Sequence, residues 1–249
     1  MAPIAPGLET EIPVGVALLG GFRLRRSERP LPAVPRASQR LLGFLALHAH
    51  VVNRAAIAGT LWPEASERNA YANLRAALVR LERTCRGLLQ ASRLELRLAE
   101  RVTVDLHDAR TLAWRLLDPE AGLRPPDRGP ETLACLSADL LPGWYDDWAL
   151  SAAEDWRQLR LHALEALADR LTAAGRWGEA ADAAGAAVRA EPLRESANAA
   201  LIRVHLAEGN QSEAVRQFDR YRALLHAELG LEPTPGLRRL VRDLQGRGR

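Results

Sequence analysis

A set of side chains suited to hydrogen bonding with bases recurs at helical spacing in the N-terminal half. Asn69, Asn73, Ala76, Arg80 and Arg83 follow the spacing i, i+4, i+7, i+11 and i+14, so on a helix they share one face. An asparagine amide can make two hydrogen bonds to adenine, a guanidinium can make two to guanine, and alanine permits close approach to a groove. We interpret Asn69, Asn73, Ala76 and Arg80 as candidates for base contacts in the major groove of double-stranded DNA. The solvated face of an ordinary amphipathic helix has the same pattern.

Residues for catalysis or metal binding do not occur at the required spacing. The six histidines are scattered without a nucleophile and base at suitable positions, and Cys85 and Cys135 lack both CxxC spacing and a nearby histidine cluster. All 34 basic residues are arginine, which excludes a P-loop because that motif needs a lysine. We therefore expect no enzyme activity, no metal and no cofactor.

Charge is distributed unevenly along the chain. Residues 1–110 contain 16 arginines against 10 acidic residues, a net charge of +6, whereas residues 111–249 contain 18 against 21, a net of −3. This asymmetry suggests a polyanionic partner for the first half.

The first residues carry no basic n-region, and the apolar run Val14–Gly21 is too short to span a bilayer. We expect a cytoplasmic protein without a membrane partner.

The elements that must position the candidate residues are short strands and three helices. Val14–Leu19 and Phe22–Arg25 are separated by two glycines, which predicts a hairpin. Three N-cap residues predict the helices that follow: Ser38 for a helix to about His48, Asn53 for Arg54–Trp62, and Ser66 for a helix to about Leu89. The third helix carries the polar face, and its opposite, apolar face consists of Leu74, Leu78, Leu81, Cys85 and Leu88.

Alternating apolar residues after the third helix predict a strand hairpin. Leu94, Leu96 and Leu98 form one run, Val102, Val104 and Leu106 form the other, and the turn lies at Ala99–Arg101. A hairpin directly after such a helix is the arrangement of a winged helix, although a purely structural hairpin has the same pattern. Arginines at element ends, on the third helix and on the wing are candidates for contacts with backbone phosphates: Arg36, Arg40, Arg54, Arg75, Arg83, Arg97 and Arg101.

The second half of the chain predicts a helical repeat. Residues 118–130 contain four prolines and two glycines and predict a loop or a linker between domains. Beyond it, the run from Gly175 to Ala180 matches that from Gly209 to Ala214 at an offset of 34 residues, the tetratricopeptide period. Such repeats stack to form grooves for proteins or peptides, so we expect a protein-binding or dimerising domain.

In combination, these motifs resemble the SARP-type bacterial transcriptional activators. The resemblance extends from about Val14 to Leu244 and rests on the following segments: Leu61-Trp62, Ala72–Leu81, Val104–Leu106, Leu141–Trp148, Glu191–Glu195 and Glu228–Pro233. It implies a mainly α fold with a small β component, in which a winged helix-turn-helix precedes a TPR-like all-α helical-repeat domain. The expected division is a disordered tail at residues 1–12, a winged helix at 13–103 and an activator domain at 104–246, with the proline-rich segment as an internal loop.

The resemblance also implies partners. We expect an activator that binds promoter DNA, contacts RNA polymerase and forms a dimer on direct repeats. The sequence departs from the family at Leu81-Glu82-Arg83, where Leu-Arg-Arg is common and where Glu82 places an acid near the DNA. Two other functions remain compatible with the residues: a protein-interaction scaffold without DNA binding, and a repressor that uses the same DNA-binding face.

Overall fold

The computed structural model describes residues 14–27 and 29–245, so the predicted tail at 1–12 lies outside the described residues. The strands are β1 (Val14–Ala17), β2 (Arg23–Arg26), β3 (Arg29–Pro30), β4 (Val52–Asn53), β5 (Leu89–Ala91), β6 (Glu95–Leu98) and β7 (Val102–Val104). The helices are α1 (Arg36–Leu47), α2 (Arg54–Leu61), α3 (Glu67–Thr84), α4 (Asp105–Leu117), α5 (Pro130–Ser137), α6 (Asp147–Ala173), α7 (Trp177–Ala190), α8 (Glu195–Glu208), α9 (Gln211–Leu229) and α10 (Pro235–Gln245).

The chain forms two compact units. The N-terminal unit contains the chain up to Asp108 together with Asp139–Ala153, and the C-terminal unit contains Ala109–Ala138 and the chain from Glu154 onward. Among the described residues, no helix combines the length and apolar character needed to cross a membrane. The predicted fold class, a winged helix-turn-helix followed by TPR-like helices, is confirmed.

A four-stranded sheet with the order β3-β2-β1-β7 begins the N-terminal unit. Strands β1 and β2 are antiparallel, with Val16 opposite Leu24, which confirms the predicted hairpin. Strand β7 lies parallel to β1, with Val14 opposite Val102. The Asp105 carboxylate, at the start of α4, accepts hydrogen bonds from the backbone N–H groups of Leu18 and Leu19 at 2.8 and 3.1 Å. Burial nevertheless raises the pKa of Asp105 above its ordinary value.

Helices α1 to α3 occur as predicted, but their ends differ. Asn53 caps α2 as expected, because its side-chain oxygen accepts a hydrogen bond from the N–H of Ala55 at 2.8 Å. The predicted cap at Ser38 is wrong. Helix α1 already begins at Arg36, and Ser38 lies inside it, fully buried, where its hydroxyl donates to the carbonyl of Ala77 on α3 at 3.1 Å. The hydroxyl therefore joins two helices instead of capping one.

The predicted pairing of the wing is also wrong. Strand β6 pairs antiparallel with β5 and β4, whereas β7 belongs to the first sheet and Leu106 lies in α4. The wing hairpin is therefore β5–β6, and its turn consists of Ser92, Arg93 and Leu94. The Ser92 hydroxyl stabilises this turn by accepting hydrogen bonds from the N–H groups of Leu94 and Glu95 at 3.2 and 3.0 Å. Alternation identified β6 and β7 as strands, but it identified neither β5 nor the pairing partners.

Residues 139–153 complete the N-terminal unit, although the sequence assigned them to the activator domain. The N–H of Gly20 donates to the carbonyl of Asp139 at 2.7 Å, and the N–H of Leu141 donates to that of Leu18 at 3.0 Å. The Trp148 ring meets Phe44 of α1 edge-on, with 5.4 Å between ring centroids. These contacts explain why the segment groups with the winged helix and not with the residues that follow it.

The C-terminal unit contains the repeat that the sequence indicated. The N–H of Arg176 bonds to the carbonyl of Leu171 at 2.9 Å, and 34 residues later the N–H of Asn210 bonds to that of His205 at 2.7 Å. In each copy a left-handed glycine precedes this position, Gly175 at φ 70° and Gly209 at φ 84°. The matching residues Ala180 and Ala214 are both fully buried, so each admits a close helix contact. The 34-residue period therefore describes recurring helix pairs, α6–α7 and α8–α9.

The proline-rich segment is a loop with internal structure. It contains a 3₁₀ turn at Pro125–Arg128, and α5 begins at Pro130. Asp127 in this turn is 2% exposed, and both of its carboxylate oxygens accept hydrogen bonds from Arg115 of α4. The guanidinium of Arg115 holds the pKa of Asp127 below its ordinary value. The segment is thus anchored within the C-terminal unit.

Candidate nucleic-acid interface

Helix α3 has one buried and one exposed side. Ala70, Leu74, Ala77 and Leu81 are buried, which is the apolar side that its leucine spacing predicted. The four candidates for base contacts, Asn69, Asn73, Ala76 and Arg80, all lie on the exposed side. The packing of the helix core therefore holds these side chains on one rigid element, directed away from the unit.

The polar side chains of this exposed side have no partners within the described part of the chain. Within residues 14–27 and 29–245, the side chains of Asn69 and Asn73 take part in no hydrogen bond. Within the same residues, the guanidinium groups of four arginines make no hydrogen bond or ion pair: Arg68, Arg75, Arg80 and Arg83. Their donors and acceptors are consequently available to an external ligand. Such a combination of unpaired guanidinium and amide groups suits the phosphates and base edges of a nucleic acid.

The residues at the centre of the exposed side are not the same set as the polar face that the sequence indicated. Ala72, Ala76, Val79 and Arg83 follow the spacing i, i+4, i+7 and i+11 and lie opposite the buried Leu74 and Leu81. Asn69, Asn73 and Arg80 occupy one flank of this line, and Arg68 and Arg75 occupy the other. Sequence reasoning missed Arg68, Ala72 and Val79, although the spacing of the buried residues could have identified them.

The arginines of the wing have different environments. The guanidinium of Arg97 donates to Gln90 at 2.6 Å and to Glu100 at 2.8 Å, and that of Arg101 donates to the carbonyl of Gly87 at 3.1 Å. Arg93 lies at the tip of the β5–β6 hairpin, is exposed and has no partner among the described residues. The correct strand pairing thus adds Arg93 to the candidate interface, whereas the predicted pairing concealed it.

Two predicted phosphate contacts, Arg36 and Arg40, have partners inside the N-terminal unit. The guanidinium carbon of Arg36 lies 4.0 Å from the centroid of the Trp144 ring, a cation–π contact. Arg40 forms a partly buried ion pair with Asp146. Both arginines therefore hold residues 139–153 against α1. Arg54, at the start of α2, is half-buried, and its Nε has no hydrogen-bond partner among the described residues.

Cysteine reactivity and metal binding have little support at this site. Cys85 is buried just after α3, and burial raises the pKa of its thiol, which disfavours the reactive thiolate. Within residues 14–27 and 29–245, no three His, Cys, Asp or Glu side chains are grouped so that they could hold a metal ion. Arginine and asparagine side chains thus dominate the exposed chemistry of α3 and the wing.

Comparisons with known proteins agree with this description. Residues 129–245 match the family described as the bacterial transcriptional activator domain. The fold is similar to that of Mycobacterium tuberculosis EmbR in complex with a low-affinity phosphopeptide, with a TM-score of 0.65 and 21% sequence identity. That likeness covers 95% of this chain but only 66% of the EmbR chain. No curated protein matches the chain.

The fold class is thus a winged helix-turn-helix followed by a TPR-like helical-repeat domain. Residues 129–245 are similar to the bacterial transcriptional activator domain, and the fold likeness to EmbR extends over 95% of the chain. The family match and the fold likeness confirm the resemblance to SARP-type activators that the sequence motifs indicated.

Proposed function

We propose that this protein is a transcriptional activator that binds a specific promoter sequence through α3 and the wing. The observation that carries the proposal is the exposed side of α3, where arginines and asparagines lie together without partners among the described residues. Asn69, Asn73, Ala76 and Arg80 face base edges. Arg68, Arg75, Arg83 and Arg93 neutralise backbone phosphates, the first three from α3 and the last from the wing tip.

We propose further that the C-terminal unit provides the contacts that turn binding into activation. A single winged helix buries only about 600–1,000 Å² on DNA, which limits its affinity. Two protomers on adjacent direct repeats gain effective concentration from their mutual contact. Repeats spaced about one helical turn apart would bring both protomers to one side of the duplex. The repeat helices then contact RNA polymerase.

The experiment begins with the full-length protein and a library of random duplexes. Repeated selection should enrich one motif, present twice at a spacing of about one helical turn. A promoter carrying the selected site is then transcribed by purified RNA polymerase with and without the protein, and transcription should increase. Failure to enrich any motif would contradict DNA reading, and reduced transcription at full occupancy would identify a repressor.

A further inference from the structure

Val79 is an apolar side chain in an unexpected place. It lies on α3 with 51% of its surface exposed, at the centre of the outward side. A β-branched residue has a lower helix propensity than alanine because its χ1 rotamer is restricted. An exposed valine also contributes little hydrophobic stabilisation to the fold. The folding of the helix therefore does not account for valine at this position.

The neighbours of Val79 indicate which surface would cover it. One turn away along the same line lies Ala76, whose small side chain leaves room beside Val79. Guanidinium groups without partners in the described chain flank it at Arg75, Arg80 and Arg83. A protein surface large enough to cover Val79 would also have to neutralise these charges, whereas duplex DNA supplies phosphates on both sides of a groove.

The major groove offers one apolar group to such a side chain. Among the base edges displayed there, only thymine carries a methyl group, at C5, and small apolar side chains are its usual contact. Resting on the proposed DNA binding, we propose that Val79 contacts the C5-methyl group of a thymine and sets a preference for thymine at one position of the bound site. Asparagines on the adjoining flank, Asn69 and Asn73, then add recognition of adenine.

The test removes the methyl group from the DNA and the side chain from the protein. The probe is the duplex that the full-length protein selects from random sequence, with its thymines replaced one at a time by deoxyuridine. Wild-type protein should lose affinity about three- to five-fold at one thymine, the effect of one buried methyl group. Val79→Ala should show no such loss at that position, since the contact is already missing.

A matched variant separates this contact from a general effect of losing a valine. Val51 is 43% exposed and lies outside α3, so Val51→Ala should retain the sensitivity to uracil at the same position. Tolerance of uracil at every position by the wild type overturns the inference while leaving DNA binding intact. Unchanged sensitivity in Val79→Ala, or its loss in Val51→Ala, overturns it as well. If no duplex is selected at all, the proposed function fails together with this inference.

Discussion

Arginines of α6 to α9 and those of α3 differ in what surrounds them. In the described part of the C-terminal unit, several guanidinium groups have a partner in the same unit: Arg157 pairs with Glu154 and Glu191, Arg203 with Asp169, and Arg216 with Glu213. Arg68, Arg75, Arg80 and Arg83 on α3 have none among the described residues. The number of arginines in each half therefore says less than their pairing. Arginines that are already paired have internal partners for their charge, whereas those of α3, unpaired within the described residues, are available to a polyanion.

The largest expected effect comes from breaking an ion pair whose carboxylate is buried. Arg115→Ala leaves the Asp127 carboxylate, 2% exposed, without its main partner. Loss of one partner of a buried ion pair costs about 3–5 kcal/mol in the free energy of unfolding. Urea-induced unfolding of the full-length protein measures this loss. A change below about 1 kcal/mol would show that the pair contributes little and would weaken the comparison.

Substitutions on the exposed side of α3 should weaken DNA discrimination and leave the stability of the protein nearly unchanged. Asn73→Ala and Arg80→Ala should each cost about 1–3 kcal/mol of discrimination between the selected duplex and random duplexes, because each removes one bidentate base contact. Their unfolding free energy should change by less than about 0.5 kcal/mol, since both residues are exposed and alanine favours helices. Competition binding provides the measurement. Unchanged preference in both variants would reject the assignment of these residues to base contacts.

The wing offers a finer distinction, between a free and a paired arginine. Wild-type protein with four phosphate contacts per protomer should show a slope of roughly −4 per protomer for log K against log[salt]. Arg93→Ala should make that slope shallower by about 1, because one contact is lost. Arg97→Ala should change it less, since the Arg97 guanidinium already bonds to Gln90 and Glu100. Equal changes in the two variants would show that the internal hydrogen bonds of Arg97 do not determine whether a wing arginine contacts phosphate.

The smallest effect is expected from exposed pairs of the repeat. Arg203 and Asp169 have side chains that are 42% and 53% exposed, so Arg203→Ala should cost only about 0–1 kcal/mol of stability. DNA affinity should stay within about two-fold of wild type. A loss of affinity comparable to that of Arg80→Ala would mean that the repeat itself contacts DNA.

Local sequence patterns predicted the helices, but they did not predict distant partners. The leucine spacing of α3 and the 34-residue repeat depend on residues close in the chain, and both are confirmed. The pairing of β7 with β1 joins positions almost 90 residues apart, and alternation carries no information about such a partner. Arg40 and Asp146 are similarly separated by 106 residues, so sequence alone left Arg40 among the phosphate candidates. Arg93 was missed for a different reason: the turn was assigned to the wrong pair of strands, although β5 and β6 are consecutive in the chain.

The most direct test of the central claim compares two triple variants of the full-length protein that carry the same change in net charge. One replaces Arg75, Arg80 and Arg83 on α3 with alanine, and the other replaces Arg203, Arg216 and Arg222, whose ion-pair partners lie in the C-terminal unit. Affinity for the selected duplex should fall about 100-fold or more in the first variant and by only about two-fold in the second. Equal losses in the two variants would show that net charge alone governs binding, and would contradict the claim that unpaired arginines of α3 form the DNA-binding surface.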